Sequence, residues 1–188
     1  EFNVMNLLGV MAVLCQAGHS LSAVVDACHL LEPVPGRMQT WEREGTPAVV
    51  VDYAHTPDAV AKALQALRPW AHARGGRLHC VLGSGGDRDS SKRAPMARSA
   101  EAHADRVYLT SDNPRSESPQ AILAQILPAL GGLAGIMVEP DRALAIKRAL
   151  ALAAPQDVVL IAGKGHEKTQ TIGTDVLPFD DVHVASDL

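Results

Sequence analysis

The feature that most constrains this chain is a recurring unit: a short apolar run, a polar loop, then an amphipathic helical stretch. The runs begin near Ala48, Arg77, Arg106, Gly135 and Asp157, and the first four starts are evenly spaced although the sequence itself does not repeat. Between them, helical spacing predicts helices over Pro57–Ala73, Lys92–Ala104, Pro119–Leu130 and Asp141–Ala153, each opening after an acid, Pro, Ser or Thr. Runs such as Val49-Val50-Val51 and Val158-Val159-Leu160-Ile161 lack the apolar–polar alternation of a half-exposed strand. Both of their faces must be covered, which implies an α/β fold built on a mostly parallel sheet with helices on both faces.

Two shorter helical stretches precede this pattern. Asn3 to Ala17 carries Val4, Leu7, Leu8, Met11 and Leu14 at helical spacing, Gly18 stops it, and Ser20 caps a second helix through Leu31. Two short helices cannot bury both of their faces, and Pro33, Pro35 and Gly36 break the pattern. Residues 1–33 therefore read as a short helical remnant of a preceding domain, and residues 34–188 as a Rossmann-like domain. From Thr169 onward, short alternating runs around Gly173 predict a terminal hairpin or an antiparallel edge.

The hydrophobic fraction of 47% supplies a sizeable core. A net charge of −4, aromatics at 3% and the lack of any basic run argue against a nucleic-acid partner. No apolar run reaches the length of a membrane span, and Glu1 to Leu14 lacks the basic start of a signal peptide, so the expectation is a cytoplasmic protein without membrane insertion. Cys15, Cys28 and Cys80 are scattered and have no zinc or redox spacing, which makes them reduced core thiols.

In an open parallel sheet, ligands bind beyond the carboxyl ends of the strands. Four of the five loops expected there carry unusual polar chemistry: Asp52 to Asp58, Gly83 to Asp89, Asp112 to Arg115, and Gly163 to Lys168. Each is ambiguous alone. Ser111-Asp112-Asn113-Pro114-Arg115 is either a turn leading to the cap of a helix near Ser118, or an anion fork and a cation acceptor joined by a fixed bend. Gly83 to Gly86 is either a phosphate-cradling nest or a flexible turn, and Gly163-Lys164-Gly165 resembles a phosphate loop but lacks its upstream glycine and the following Ser or Thr. His55 and His166 are open to base, ligand or helix-cap roles, and no nucleophile arrangement or metal set can be assembled. Together, Arg88 and Arg115 can each grip a carboxylate, while Asp112 and Glu167 can each accept from an ammonium. That combination predicts an amino-acid ligand.

Six ordered motifs carry a resemblance over essentially the whole chain: Phe2-Asn3-x-x-Asn6, Pro35-Gly36-Arg37-Met38, Asp52-Tyr53-Ala54-His55-Thr56-Pro57, Gly85-Gly86-Asp87-Arg88-Asp89-x-x-Lys92-Arg93, Asp112-Asn113-Pro114-Arg115, and Gly163-Lys164-Gly165-His166-Glu167. They resemble the C-terminal part of the Mur ligases, the ATP-dependent amide ligases of peptidoglycan synthesis, and within that family its diaminopimelate-adding members. The resemblance implies that Asp112, Asn113, Pro114 and Arg115 recognise meso-diaminopimelate together with Arg88, Gly163 and Glu167. It implies ATP contacts at Asn3, Asn6, Arg37, Asp52, Tyr53 and His55. Helix-start capping is the alternative for Asn3 and Asn6, and capping before Pro57 the alternative for Asp52.

The implied reaction phosphorylates a D-glutamate carboxylate of the nucleotide dipeptide UDP-N-acetylmuramoyl-L-alanyl-D-glutamate and lets the amine of diaminopimelate attack the acyl phosphate. No catalytic residue is assigned. A phosphate loop and magnesium ligands have no counterpart in this sequence, so ATP and Mg2+ would be held mainly by a preceding central domain, and the 188-residue chain alone should be inactive. The rival readings are a binding module without catalysis and a lysine-adding ligase.

Overall fold

The computed structural model of the chain describes residues 2–132 and 135–187, without the side chains of Phe2 and Asn3. It contains two compact units, Glu1–Val34 and Pro35–Leu188. The first holds helix α1 (Phe2–Gln16) and helix α2 (Leu21–Cys28). Ser20 caps α2 by accepting from the Ala23 amide. Of the residues expected to share one apolar face of α1, Val4, Leu8 and Leu14 are exposed, as are Met5, Val10 and Val13.

The second unit is built on strands β1 (Gln39–Trp41), β2 (Ala48–Asp52), β3 (Leu78–Ser84), β4 (Arg106–Ser111), β5 (Ile136–Val138) and β6 (Val158–Ala162). They form one sheet in the order β1-β2-β6-β3-β4-β5, parallel throughout except for β1. Strands β2, β3 and β6 are buried at every position, as uninterrupted apolar runs require. The helices are α3 (Pro57–Ala73), α4 (Arg93–His103), α5 (Pro119–Ile126), α6 (Arg142–Leu152) and α7 (Asp181–Ser186). Val50, Leu78, Cys80 and Leu160 face a core shared with α3, α4 and α5, while Val51, Val81 and Ile161 face α6 and α7. Helices therefore cover both faces.

Local chemistry explains the boundaries. Thr56 accepts from the Ala59 amide and Pro57 opens α3 with its φ already helical. Ser118 with Pro119 repeats the device for α5, and Asp141 caps α6. The helix expected over Lys92–Ala104 is preceded by a 3-10 turn at Ser90–Lys92, and the one expected to reach Leu130 relaxes into a 3-10 turn at Leu127–Ala129. The antiparallel edge comes from β1, a three-residue strand that the sequence did not announce. The terminal segment forms a separate hairpin of β7 (Thr169–Ile172) and β8 (Asp175–Pro178), followed by α7.

Burial pushes the Cys80 thiol up to about 12, whereas Cys15 and Cys28 are half-buried. No helix among the described residues is long and apolar enough to cross a membrane.

Candidate functional site

The polar loops meet at the carboxyl ends of the strands around a cavity of about 470 Å³. It is lined by Tyr53 and His55 after β2, Gly83 and Ser84 at the end of β3 with Gly85, Arg88 and Asp89 after it, Asp112, Asn113 and Arg115 after β4, and Gly163 and Glu167 after β6. Distant parts of the chain arrive there because parallel strands all deliver their following loops to one edge.

The Asp112–Arg115 loop is held from three sides. On the β7 side, Gln170 Nε2 donates to the Asp112 carbonyl at 2.7 Å, the Thr171 amide to Asn113 Oδ1 at 3.0 Å, and the Arg115 amide to the Thr171 carbonyl at 3.0 Å. On the β3 side, the Gly86 amide donates to the Asn113 carbonyl at 2.9 Å and Asp87 accepts from the Ser116 amide and hydroxyl. Beneath, the buried Arg93 reaches Glu117 Oε1 at 2.6 Å, Oε2 at 2.9 Å and the Gly85 carbonyl at 2.9 Å. The Arg93 guanidinium and the Asp87 amide hold the Glu117 carboxyl down at about 2.

So fixed, Arg115 takes a left-handed backbone, φ 52°, uncommon outside glycine. One arm, Nη1, donates to the Gly86 carbonyl at 2.8 Å. Its Nε and Nη2 have no protein partner among the described residues and remain available at the cavity wall. Arg88 is exposed at the same cavity. Ser84 Oγ, on the floor, is buried without a hydrogen-bond partner.

The acidic side centres on a lysine. Lys164 is fully buried, with its Nζ 3.0 Å from Asn113 Oδ1, 3.1 Å from Glu167 Oε2 and 3.8 Å from Asp112 Oδ1. The sequence likeness of Gly163-Lys164-Gly165 to a phosphate loop fails here, since an ammonium with no exposure cannot reach a bound phosphate. Gly163, at φ 117°, lets the Asp112 carboxylate come within 2.8 Å of where a Cβ would stand. Burial raises the Glu167 carboxyl, but hydrogen bonds from Asn113 and Lys164 outweigh it and hold the group below its usual range. None of Gly83, Gly85 and Gly86 has positive φ, and the Gly86 amide is already taken by the Asn113 carbonyl.

A second group of predicted residues is centred on Tyr53 and His55 of the cavity wall. The exposed Arg37 guanidinium lies 4.7 Å from the Tyr53 ring centre, and Tyr53 in turn faces His55 at 4.5 Å and His166 at 5.4 Å. Asp52 Oδ2 accepts from the Met38 amide at 2.8 Å, and burial raises its carboxyl despite that bond. Asn6 is exposed on α1 in the other unit, and the Asn3 side chain lies outside the described residues.

A family model described as Mur ligase, glutamate ligase domain, matches residues 36–165. The chain belongs to the Mur ligase family. Among Mur ligase relatives, a UDP-N-acetylmuramoyl-L-alanyl-D-glutamate–2,6-diaminopimelate ligase of Acidovorax sp. (strain JS42) is 54% identical over 96% of this chain. A ligase of the same name from Coxiella burnetii is 51% identical over 98%. The chain spans 36% and 37% of the length of these two relatives. A solved structure of a ligase with that name is 41% identical, covers all of this chain, matches over 38% of its own length and has a TM-score of 0.75. The UDP-N-acetylmuramate–alanine ligase of Thermotoga maritima, 20% identical with a TM-score of 0.65, covers 99% of this chain and 36% of its own and shares the fold.

The sequence singled out Arg88, Asp112, Asn113, Pro114, Arg115, Gly163 and Glu167, and the loops that carry them meet at this cavity. It gave no role to Arg93, which appears only within a motif, or to Lys164 beyond an incomplete likeness to a phosphate loop, and it did not single out Glu117, Arg142 and Asp181. Arg93, Arg142 and Asp181 are the first residues of their helices and Glu117 lies in the loop before α5, so none gives a periodicity signal, and their partners lie far along the chain.

Proposed function

We propose that this chain is the amino-acid-receiving part of an ATP-dependent amide ligase that joins meso-diaminopimelate to UDP-N-acetylmuramoyl-L-alanyl-D-glutamate in peptidoglycan synthesis. One observation carries the reading: Arg88 and Arg115 share a single cavity with Asp112 and Glu167, at the carboxyl edge of a parallel sheet. Two guanidinium groups and two carboxylates complement a zwitterionic head, and the names of the relatives at 54% and 51% identity supply the amino acid.

Arg115 is the proposed selectivity element. Diaminopimelate carries a carboxylate at its far end where lysine has none. With lysine, the free arms of Arg115 would stay unpaired in a partly desolvated cavity, at a cost of about 1–3 kcal/mol. The lysine-adding reading is disfavoured on that ground. The chain's catalytic contribution is orientation, since holding the amine near an acyl phosphate supplies several kcal/mol of barrier reduction.

ATP would meet Arg37, Tyr53, His55 and Asp52. An exposed guanidinium on an aromatic face, with imidazoles beside it, suits a planar base and an anionic phosphate chain. Asn3 and Asn6 belong to this assignment by resemblance alone. Among the described residues no three His, Cys, Asp or Glu side chains converge on a metal position, so the chain's own residues do not fit a protein-held Mg2+, and no step is drawn through one. Residues 1–33 fit the tail of a central ATP-binding domain, the compartment fits the cytoplasm, and the 188 residues alone would not turn over ATP.

The test is phosphate release by the full-length ligase carrying this chain, given ATP, the nucleotide dipeptide and one amino acid at a time. Turnover with meso-diaminopimelate and at least tenfold lower kcat/KM with lysine is expected. Equal turnover with lysine overturns the selectivity reading, and turnover with neither overturns the ligase reading.

A further inference from the structure

Lys164 cannot touch a ligand, yet it has the most connected ammonium in the site. Its side chain has no exposure, and three groups around its Nζ, from Asp112, Asn113 and Glu167, all belong to the cavity wall. Burying a lysine is expensive, and an apolar side chain of similar length would fill the same space at lower cost. The charge itself must therefore be used.

Its use follows from the bonds. Asn113 Oδ1 accepts from both Lys164 Nζ and the Thr171 amide, which fixes the amide so that Nδ2 donates to Glu167 Oε2 at 3.0 Å. Oε2 then accepts twice, from Asn113 and from Lys164. Oε1 has no protein partner among the described residues, on a side chain one-third exposed at the cavity. Charge counting agrees. Asp112 and Glu167 supply two negative charges, Lys164 removes one, and the nearby Arg142 is already paired with Asp181. On this acidic side one negative charge remains, which matches one ammonium, while Arg88 and Arg115 stand elsewhere on the same cavity wall. Without Lys164, two carboxylates would share the wall and one of them would tend to bind a proton instead of the ligand.

We propose that Lys164 is a positioning residue for substrate selection: a built-in counter-cation that, with Asn113, aims the free oxygen of Glu167 at the ammonium of the incoming amino acid. This rests on the reading of the cavity as the amino-acid site.

The experiment is a double-mutant cycle in the full-length ligase carrying this chain, with Lys164→Met, Glu167→Gln and the pair together. KM for meso-diaminopimelate, KM for ATP and kcat are measured for each. Glu167→Gln should raise KM for diaminopimelate about tenfold or more. Lys164→Met should raise it comparably, with KM for ATP moving less than about twofold, and the pair should be no worse than Glu167→Gln alone, because Lys164 acts through Glu167. If the two effects multiply, or Lys164→Met leaves KM for diaminopimelate unchanged while Glu167→Gln raises it, Lys164 does not position Glu167 and the inference falls alone. If Glu167→Gln has no effect on that KM, the amino-acid reading falls and takes the inference with it. Should Lys164→Met fail to fold, the pair removes one positive and one negative charge together and keeps the net charge around Asp112 unchanged, and its comparison with Glu167→Gln decides: equal KM values support the inference, a further rise overturns it.

Discussion

Arg142 grips Asp181 with both side chains fully buried: Nε donates to Oδ1 at 2.7 Å and Nη2 to Oδ2 at 2.6 Å. The same guanidinium donates to the carbonyls of Ser111 and Ala162, the last residues of β4 and β6. Those carbonyls precede Asp112 and Gly163, so the first residue of α7 helps to hold the floor of the site. Burial works against the charge on Arg142, but Asp181 outweighs it and the guanidinium is held further up. Arg142→Met would leave a buried carboxylate unpaired and should cost about 3–5 kcal/mol, read by urea unfolding. Arg142→Met with Asp181→Leu should recover most of that loss. If the double variant is as unstable as the single one, the pair is not the cause.

Arg115→Ala keeps the backbone and removes the guanidinium. In the full-length enzyme the preference for meso-diaminopimelate over lysine should shrink by roughly 5- to 150-fold, the equivalent of about 1–3 kcal/mol. An unchanged ratio of the two kcat/KM values would remove Arg115 as the selector.

Gly86 faces the Asp112–Arg115 loop with no room for a side chain, since a Cβ there would stand 1.8 Å from the Pro114 carbonyl oxygen. Gly86→Ala should destabilise the domain by about 1–3 kcal/mol and raise KM for diaminopimelate more than KM for ATP. Equal changes in the two KM values would mean that the Pro114 loop does not belong to the amino-acid site.

Glu117 gives a pH signature. Its folded carboxyl titrates at about 2, below the ordinary 4.5, so the folded state binds the proton less readily than the unfolded chain. The stabilisation is present above pH 4.5 and disappears as pH falls from there toward 2. Glu117→Gln should lower stability near neutral pH and flatten the acid limb of the stability profile in that window, measured by urea midpoints across pH. A variant with the wild-type slope would show that the Arg93 contact is not the source.

The order of elements was legible in the sequence because its signals are local. Uninterrupted Val and Ile runs demand a sheet covered on both faces, Thr56-Pro57 and Ser118-Pro119 mark helix starts, and Asp112 to Arg115 stands out as charge where an apolar run ends. The family motifs added which amino acid and nucleotide to expect. Tertiary structure alone decided strand order, the β1 edge, the terminal helix, and the roles of the buried charges. Lys164 is the clearest case. In the sequence it looks like a phosphate-binding lysine between two glycines, but its partners Asn113 and Asp112 lie fifty residues or so upstream and reach it only when β4 and β6 take their places either side of β3. Local spacing determines which segments become strands and helices, whereas the partner of a buried charge depends on which strand ends become neighbours. That is settled by the packing of the whole sheet.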